Sequence, residues 1–463
     1  MAAFRFDRFF RNAFTLSALA RRLQPGRLMY VRNSIHALLL LPLLGTVTCI
    51  CATTANAQKF VANYDESKIP EYQLPDPLVM EAGERVQDAE AWMSQRRPEI
   101  LRLFETQVYG RAPEPCEIQH TLVSSDPEAI GGKGLRREID ITFGKENDAK
   151  TMRLLIFTPT NRPNAPVFLG LNFQGNHTVD SDPGISLTKN WVRNRGGIKD
   201  NRATDSTRGS ASGRWPIESI LDRGYAVATI YYGDIDPDFD DGFKNGIHGQ
   251  FQSEMTSIPK GERWGSIAAW AYGLSRAVDY LEQDDLIDAN RVAVIGHSRL
   301  GKTSLWAGAT DPRFKLVISN NSGCGGAALS RRAFGETVGR INTSFPHWFC
   351  DNYLQYNENE DACPVDQHQL LALIAPRAVY VASATEDRWA DPHGEYLSCF
   401  HADPVFRLLG TKGLGGDAPA ETMPSPETPL KTGAIGYHLR TGKHDVTHYD
   451  WTQYLDFADR HLP

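Results

Sequence analysis

A serine stands between two glycines where the chain passes from a predicted strand to a predicted helix. Ser298 follows a β-branched run over residues 292–295 and is flanked by Gly296 and Gly301. A turn this tight needs small neighbours, and it pushes the serine hydroxyl toward the edge of a sheet where substrates bind. The usual version of the turn has its second glycine two residues after the serine, whereas here it comes three residues after. The pattern therefore favours a nucleophilic serine, with a helix-capping serine as the alternative.

A serine hydroxyl becomes an effective nucleophile only when a base takes its proton, so a histidine must lie within hydrogen-bonding reach. After a turn of this kind, the histidine follows the last strand of the sheet. Two histidines, His444 and His448, follow the last predicted strand, residues 436–440. His444 comes two residues after Gly442 at the strand exit, whereas His448 lies nearer the final helix. We expect His444 to be the base and keep His448 as the alternative.

The imidazole needs an acid that orients it and stabilises its charged form. Chain order places this acid between the serine and the histidine, after the predicted strand over residues 377–384. Three carboxylates stand there, Glu386, Asp387 and Asp391. Position favours the first two, because Asp391 precedes a proline and is typical of a turn. The residues alone do not choose between Glu386 and Asp387.

These residues need a sheet to hold them, and short apolar runs alternate with helical patterns along the chain. A spacing of three to four residues predicts helices near 83–107, at 264–281, after Ser298, and at 451–461. Buried strands that alternate with amphipathic helices predict an α/β fold, a mostly parallel sheet with helices on both faces. The predicted strands are residues 137–143, 152–158, 167–173, 226–232, 292–295, 316–319, 377–384 and 436–440.

The first 57 residues have the pattern of a secretory signal peptide. Arg27 and Arg32 precede an apolar run over about 37–52, and Ala55-Asn56-Ala57 forms a small-x-small cleavage signal. Met29 is a plausible initiator, which would make residues 1–28 an upstream artefact. We expect a secreted bacterial protein, periplasmic or extracellular. Residues 58–463 are expected to be one catalytic domain with an N-terminal arm and insertions near 174–214, 327–370 and 403–432.

The net charge limits the possible binding partners, and the cysteine count limits the possible disulfide bridges. The net charge is −7, and removing residues 1–57, with seven arginines and one aspartate, would leave about −13. Such an acidic surface argues against nucleic acid and anionic membranes as partners, and we expect a monomer. Five cysteines would remain, and an exported chain could pair them, with Cys324–Cys350 as the first candidate. Their spacing shows no metal-binding pattern.

The segment Gly-x-Ser-Arg-x-Gly-Lys, which contains Ser298, Arg299 and Lys302, resembles the nucleophile motif of the glucuronoyl esterases, carbohydrate esterase family 15. That family shares the extra residue between serine and glycine. Four more segments resemble its bacterial branch, and the likeness covers most of residues 60–463. They are residues 321–326, 345–350, 386–392, and 444–447 with Asp450-Trp451.

This resemblance implies an α/β-hydrolase fold and a substrate class. The substrate would be the ester between lignin alcohols and (4-O-methyl)glucuronic acid side chains of glucuronoxylan. Carried over by residue, Ser298 is the nucleophile, His444 the base, and Arg299 part of the oxyanion hole. Lys302, Glu336 and Trp389 would line the uronate pocket. No metal or organic cofactor is implied.

The chain departs from the family at the position of the acid. Many members have a glutamate after the strand that follows the serine turn, but here Asn321 occupies that place. The acid must then come from the later loop, and Asp387 fits the resemblance best. Two other functions stay open: an acetyl- or feruloyl-xylan esterase on the same fold, and a polysaccharide-binding homologue that has lost catalysis.

Overall fold

A nine-stranded sheet runs through the centre of the computed structural model, which describes residues 60–144, 149–415 and 420–462. The described chain from Phe60 onward belongs to one compact unit. The spatial order of the strands is β1-β2-β3-β5-β4-β6-β7-β8-β9. The strands are β1 (Ile118–Ala129), β2 (Gly134–Phe143), β3 (Thr151–Pro159), β4 (Ala165–Asn172), β5 (Ala226–Tyr231), β6 (Ile287–His297), β7 (Phe314–Asn320), β8 (Ala378–Ala384) and β9 (Ile435–Arg440).

Strand direction alternates over the first four strands of this sheet and is constant over the rest. Strands β1, β2 and β3 are antiparallel to their neighbours, and β3 also pairs antiparallel with β5. From β5 through β4 and β6 to β9, every neighbouring pair is parallel. The carboxyl ends of six strands therefore lie along the same edge, and the loops that follow them can build one site.

Helices cover both faces of the sheet. One face carries α2, α6, α7, α9 and α10, and the other carries α3 and α11. Together with the parallel strands, this confirms the predicted α/β architecture. The described helices are α1 (Ala89–Ala91), α2 (Arg97–Gln107), α3 (Ile217–Asp222), α4 (Tyr232–Ile235), α5 (Gln252–Met255), α6 (Ser266–Leu281), α7 (Arg299–Thr310), α8 (Val338–Ser344), α9 (Gln367–Ala372), α10 (Pro392–Leu408) and α11 (His448–His461).

The central strands are apolar along their whole length because both of their faces are buried. Val292 and Val294 of β6 pack into the core on one face, whereas Ala293 and Ile295 pack into the core on the other. Successive side chains of a strand point to opposite faces, so a strand between two helical layers needs an unbroken apolar run. This is why the central strands were recognisable in the sequence.

Two elements escape sequence patterns. Strand β1 lies at the edge of the sheet and is largely exposed, so it lacks an apolar run. Helix α10 contains Pro404 and begins at Pro392, directly after Asp391, and both the Asp-Pro pair and the internal proline are typical of loops. Residues 403–408 belong to this helix, so the segment expected to be an insertion near 403–432 starts with the last turns of α10. The helical pattern near 83–107 likewise becomes helical only from Ala89.

The five cysteines within the described ranges are free thiols. The expected Cys324–Cys350 bridge is therefore wrong. Cys350 instead directs its Sγ toward the carbonyl oxygen of Thr106, 3.8 Å away. Burial raises the pKa of the Cys350 thiol to about 12, which favours an unreactive structural thiol.

The predicted signal peptide and its cleavage site, residues 1–57, lie outside the described residues. Among the helices that are described, none combines the length and apolar character needed to cross a bilayer.

The turn between β6 and α7 leaves no space for a side chain at Gly296. A Cβ atom there would lie 1.8 Å from the carbonyl oxygen of Leu300. Gly301, on the first turn of α7, also packs closely, since a Cβ there would lie 3.0 Å from Cβ of Ser322. The two glycines are thus required by the close approach of helix and strand.

We expect Gly296→Ala to lower the free energy of unfolding by about 3 kcal/mol or more, because the backbone of α7 must move. Urea denaturation measures this change. Gly249→Ala is the matched control, since an added Cβ at Gly249 has no atom within 4 Å. Equal stability of the two variants would show that the turn can relax.

Candidate functional site

Ser298 occupies the turn between β6 and α7 in a conformation that residues with a side chain rarely adopt. Its φ is 58° and its ψ is −129°. The turn is fixed by hydrogen bonds, since the Ser298 N–H donates to the carbonyl of Asn320 at 2.9 Å and its own carbonyl accepts from Gly301 at 2.8 Å. Backbone strain of this kind persists where the surrounding structure enforces it, and it is a feature of nucleophilic serines at such turns.

A cavity of about 290 Å³ lies at the carboxyl edge of the sheet, and all seven predicted site residues line it. They come from the turn after β6 and the start of α7, from the loops after β8 and β9, and from the segment before α8. Among the described residues, no group of three or more His, Cys, Asp or Glu side chains could hold a metal ion. The lining residues are Ser298, Arg299, Lys302, Asn321, Ser322, Gly323, Glu336, Phe345, Trp348, Asp387, Trp389, Ala390 and His444.

Asp387 and His444, two of the predicted catalytic residues, are in direct contact. Nδ1 of His444 lies 2.5 Å from Oδ2 of Asp387. The aspartate side chain is 5% exposed and the histidine side chain 40% exposed. A carboxylate oxygen accepts hydrogen bonds, so Nδ1 of His444 is the nitrogen that donates in this contact and Nε2 is not engaged by Asp387. His444 and Ser298 both line the same cavity.

The structure separates the alternatives that the sequence left open. Glu386 is exposed, and its neighbour Asp387 is the carboxylate that contacts the imidazole. Asp391 caps α10 by accepting the N–H of Gly394 at 3.0 Å, and it pairs with Arg332. His448 is exposed at the first turn of α11. Neither Asp391 nor His448 lines the cavity.

The loop that carries His444 is held in place by Arg440, which the sequence patterns did not indicate as a site residue. Nη2 of Arg440 donates to the carbonyls of Lys443 and Asp445 at 2.7 and 2.6 Å. Nε of Arg440 donates to the buried Asp450 at 2.9 Å. The residues on both sides of His444 are thus tied to the end of β9. The signal in the sequence that could have identified Arg440 is a charged residue at the end of a largely apolar strand.

Arg299 is held beside Ser298 by an acid and by aromatic rings. Its Nη1 pairs with the buried carboxylate of Asp238, and its guanidinium carbon lies 4.7 Å from the ring centroid of Trp348. Burial would raise the pKa of Asp238, but hydrogen bonds from His347 and Trp348 and the charge of Arg299 hold it well below the ordinary value. Asp238 therefore stays ionised and fixes the guanidinium.

Asp238 was absent from the sequence-based site. It follows β5 in a run with Asp234 and Asp236, and acids after a parallel strand are a signal that could have found it. Arg299 is also the first residue of α7, where backbone N–H groups have no partner inside the helix. That N–H, beside the nucleophile, is a ready donor for a developing oxyanion.

Lys302 and Glu336 form a buried pair in the cavity wall. Nζ of Lys302 lies 3.6 Å from Oε2 of Glu336 and donates to the carbonyl of Cys324 at 2.7 Å and to that of Ser322. Burial raises the pKa of Glu336, and Lys302 and a hydrogen bond from Trp389 oppose that rise. Lys302 therefore has two effects on the cavity wall: it places a positive charge there, and it fixes the backbone of residues 322–324.

Asn321 follows β7, at the position where many members of the family that the sequence resembles have a glutamate. It has a φ of 48°, and its Nδ2 donates to Oδ2 of Asp387 at 2.8 Å. The same carboxylate oxygen thus accepts from both Asn321 and His444. Asn321 therefore acts as a partner of the acid.

A second carboxyl, Glu395 of α10, is buried behind Asp387 and was also missed. Its Oε1 accepts the N–H groups of Ser322 and Gly323 at 2.7 and 3.0 Å, and its Oε2 lies 2.6 Å from Oγ of Ser383. Burial, with the charge of Asp387 adding to it and these hydrogen bonds opposing it, raises the pKa of Glu395 to about 8. Burial thus favours the neutral form of Glu395 at pH 7, and Asp387 is the carboxyl that contacts His444.

Comparison with known proteins identifies the relatives of this chain. A family model described as "Glucuronyl esterase, fungi" matches residues 225–410. A carbohydrate esterase, MZ0003, from an unknown prokaryotic organism is 55% identical over 404 residues, which cover 86% of this chain and 92% of that protein.

Two solved structures resemble the fold over its full extent. A promiscuous family 15 carbohydrate esterase from a marine bacterial metagenome superposes with a TM-score of 0.82 at 55% identity, covering 87% of this chain and all of that one. The glucuronoyl esterase from Solibacter usitatus superposes with a TM-score of 0.80 at 47% identity, covering 86% of this chain and all of that one.

We expect Asp387→Asn to lower kcat for ester hydrolysis by about 10³–10⁴-fold, because an amide no longer stabilises the imidazolium and permits the wrong tautomer. Steady-state kinetics measure this loss. Glu386→Gln removes the same charge one residue away and should leave kcat close to wild type. Equal losses in both variants would show that net charge, and not the contact with His444, is what matters.

We expect Glu395→Gln to flatten the pH dependence of stability. The folded pKa of Glu395, about 8, lies above the unfolded value of about 4.3, so folding favours the protonated form. Wild-type stability should thus lose a contribution as pH rises from about 4.3 to 8. Urea unfolding between pH 5 and 8.5 measures the difference, and parallel profiles for the two proteins would contradict a neutral Glu395.

Proposed function

This chain belongs to the glucuronoyl esterases of carbohydrate esterase family 15, and from that membership we propose that it hydrolyses esters between (4-O-methyl)glucuronic acid of glucuronoxylan and lignin alcohols. It is a carboxylic ester hydrolase with the α/β-hydrolase fold. The observation that carries the proposal is the Asp387–His444 contact in the same cavity as Ser298.

In the proposed reaction, Nε2 of His444 takes the proton from the Ser298 hydroxyl as its oxygen attacks the ester carbonyl. Asp387, ionised and buried, stabilises the imidazolium that forms. The tetrahedral intermediate collapses when His444 gives its proton to the departing alcohol. Water then attacks the glucuronoyl-enzyme by the same route and releases the free acid.

The negative charge that develops on the carbonyl oxygen needs donors that are already in place. The N–H of Arg299 and its guanidinium supply them, since Asp238 and Trp348 prevent the guanidinium from moving away. The loss of one donor of this kind costs about 10²–10³ in rate. Arg299 therefore acts in the transition state more than in substrate binding.

The wall formed by Lys302, Glu336 and Trp389 suits the sugar of the substrate. An esterified uronate has no charge of its own, so it is recognised through its hydroxyl groups. The Glu336 carboxyl can accept from those hydroxyls, and the partly exposed ring of Trp389 offers an apolar face to the sugar. These three residues would hold the sugar while its ester carbonyl faces Ser298.

A second candidate activity is the hydrolysis of acetyl or feruloyl esters of xylan. A solved relative at 55% identity is described as promiscuous, and a fold shared among esterases does not fix the substrate. The same serine, histidine and aspartate would serve both reactions. The two reactions would differ in how strongly their rates depend on the wall formed by Lys302, Glu336 and Trp389.

We place the enzyme outside the cytoplasm, because its first 57 residues carry the sequence pattern of a signal peptide. We further propose that residues 58–463 act as one catalytic domain and as a monomer. Mass spectrometry of the secreted chain would locate the cleavage site, expected before Gln58.

We expect the benzyl ester of glucuronic acid to be hydrolysed with a much higher kcat/KM than acetylated xylan. Ser298→Ala should abolish the activity, with a loss of about 10⁵-fold or more. Ser253→Ala, at an exposed position of α5, is the matched control and should match wild type. A preference for acetylated xylan would favour the second candidate, and activity that survives in Ser298→Ala would overturn the assignment.

A further inference from the structure

Five residues form a partly exposed surface at the edge of the catalytic cavity. We call it the rim patch: Phe60, Tyr64, Arg340, Arg388 and Trp389. The three aromatic residues are 36%, 40% and 37% exposed. Trp389 also lines the cavity, so the patch continues the cavity wall onto the protein surface. Exposed clusters of large apolar side chains mark binding sites more often than scattered single ones do.

The N-terminal arm contributes two of these residues and is anchored to the active-site loops. The ring centroids of Phe60 and Trp389 lie 6.1 Å apart in an edge-to-face arrangement. The carbonyl of Asn63 accepts the N–H of Gly335 at 2.9 Å. Arg332 joins Glu66 of the arm to Asp391 of the acid loop, with contacts of 3.0 and 2.8 Å. The patch is therefore preformed, which lowers the entropic cost of binding.

The two arginines of the patch differ from most others in this acidic protein. The guanidinium of Arg340 lies 5.4 Å from the Phe60 ring, and that of Arg388 lies 5.2 Å from the Tyr64 ring. Neither has a carboxylate partner within ion-pair distance in the part of the chain that the structure describes. Nε of Arg340 is buried there without a hydrogen-bond acceptor. The patch thus presents positive charge that is not neutralised internally.

We infer that the rim patch binds the polysaccharide strand that carries the esterified uronate, an inference that rests on the proposed function. Aromatic rings offer flat apolar faces to the C–H faces of sugar rings. Uronate side groups that are not esterified carry negative charge, which complements Arg340 and Arg388. An uncharged lignin alcohol offers no negative charge to complement these two guanidinium groups, neither of which has a carboxylate partner among the described residues.

The position of the patch also favours the sugar chain over the alcohol. The patch meets the cavity at Trp389, next to Glu336, whose N–H donates to the Trp389 carbonyl at 3.0 Å. That is the wall proposed to hold the uronate. The alcohol, by contrast, leaves from the carbonyl at which His444 delivers its proton. A strand leading away from the uronate would therefore cross the rings of Trp389 and Phe60.

The test compares two substrates that differ only in what lies beyond the uronate. One is the benzyl ester of glucuronic acid, and the other is the same ester borne on a glucuronoxylan chain. We expect Phe60→Ala and Arg340→Gln each to raise KM for the polymeric ester about fivefold to tenfold, the size of one aromatic or cation–π contact. KM for the small ester should stay near wild type in both variants.

Two control variants remove similar side chains far from the cavity. Leu122→Ala removes an exposed apolar side chain from the edge strand β1. Arg223→Gln removes a partly exposed arginine just before β5, at the amino ends of the parallel strands, whereas the cavity lies at their carboxyl ends. Neither should change KM for the polymer. Added salt should raise KM for the polymer in wild type, and less so in Arg340→Gln.

The outcomes separate the inference from the proposed function. If wild type does not hydrolyse the small ester, the proposed function fails and the inference fails with it. If wild type hydrolyses both esters but Phe60→Ala and Arg340→Gln leave KM for the polymer unchanged, only the inference is overturned. If instead the variants weaken binding of a monosaccharide ester with a bulky lignin-type alcohol, the patch binds the alcohol. If Phe60→Ala does not fold, Arg340→Gln decides alone.

Discussion

The catalytic site depends on one contact between two loops, the hydrogen bond of 2.5 Å between His444 and Asp387. The two residues follow neighbouring parallel strands, β9 and β8, so their loops leave the same edge of the sheet side by side. The contact fixes which nitrogen of the imidazole carries the proton, and it thereby determines which one can act as the base. Without it, Ser298 would keep its conformation but would lack a base that is both oriented and stabilised when charged.

Much of the surrounding structure serves to keep buried charges in fixed positions. Asp387, Asp238 and Asp450 are all buried, and each accepts hydrogen bonds from several donors. Burying an ion costs several kcal/mol, a cost that is offset only when its partners are in good geometry. Such networks hold the site in its reactive arrangement before substrate arrives, because moving any one member would leave another charge unpaired. This explains why so many site residues contact each other and not solvent.

Asn321 and Glu395 show how the acid can occupy the loop after β8 in place of the loop after β7. With a carboxylate at both positions, two like charges would lie close together and one would have to be protonated. Asn321 avoids this by donating to Asp387. Glu395, deeper in the protein, remains protonated at neutral pH because burial disfavours its charge. Asp387 is thus the one carboxyl in direct contact with His444 among the described residues.

The sequence by itself determined the features that depend on neighbouring residues. Gly296, Gly301 and the β-branched run before them located Ser298, and unbroken apolar runs located the central strands. Chain order then limited the base to His444 or His448 and the acid to the loop after β8. Only the tertiary structure chose Asp387 over Glu386, because adjacent residues point in different directions and only packing decides which one faces the imidazole. Asp238, Arg440 and Glu395 likewise reach their partners across the fold, and α10 was hidden by Pro404. Such contacts depend on how distant segments pack, which local spacing does not encode.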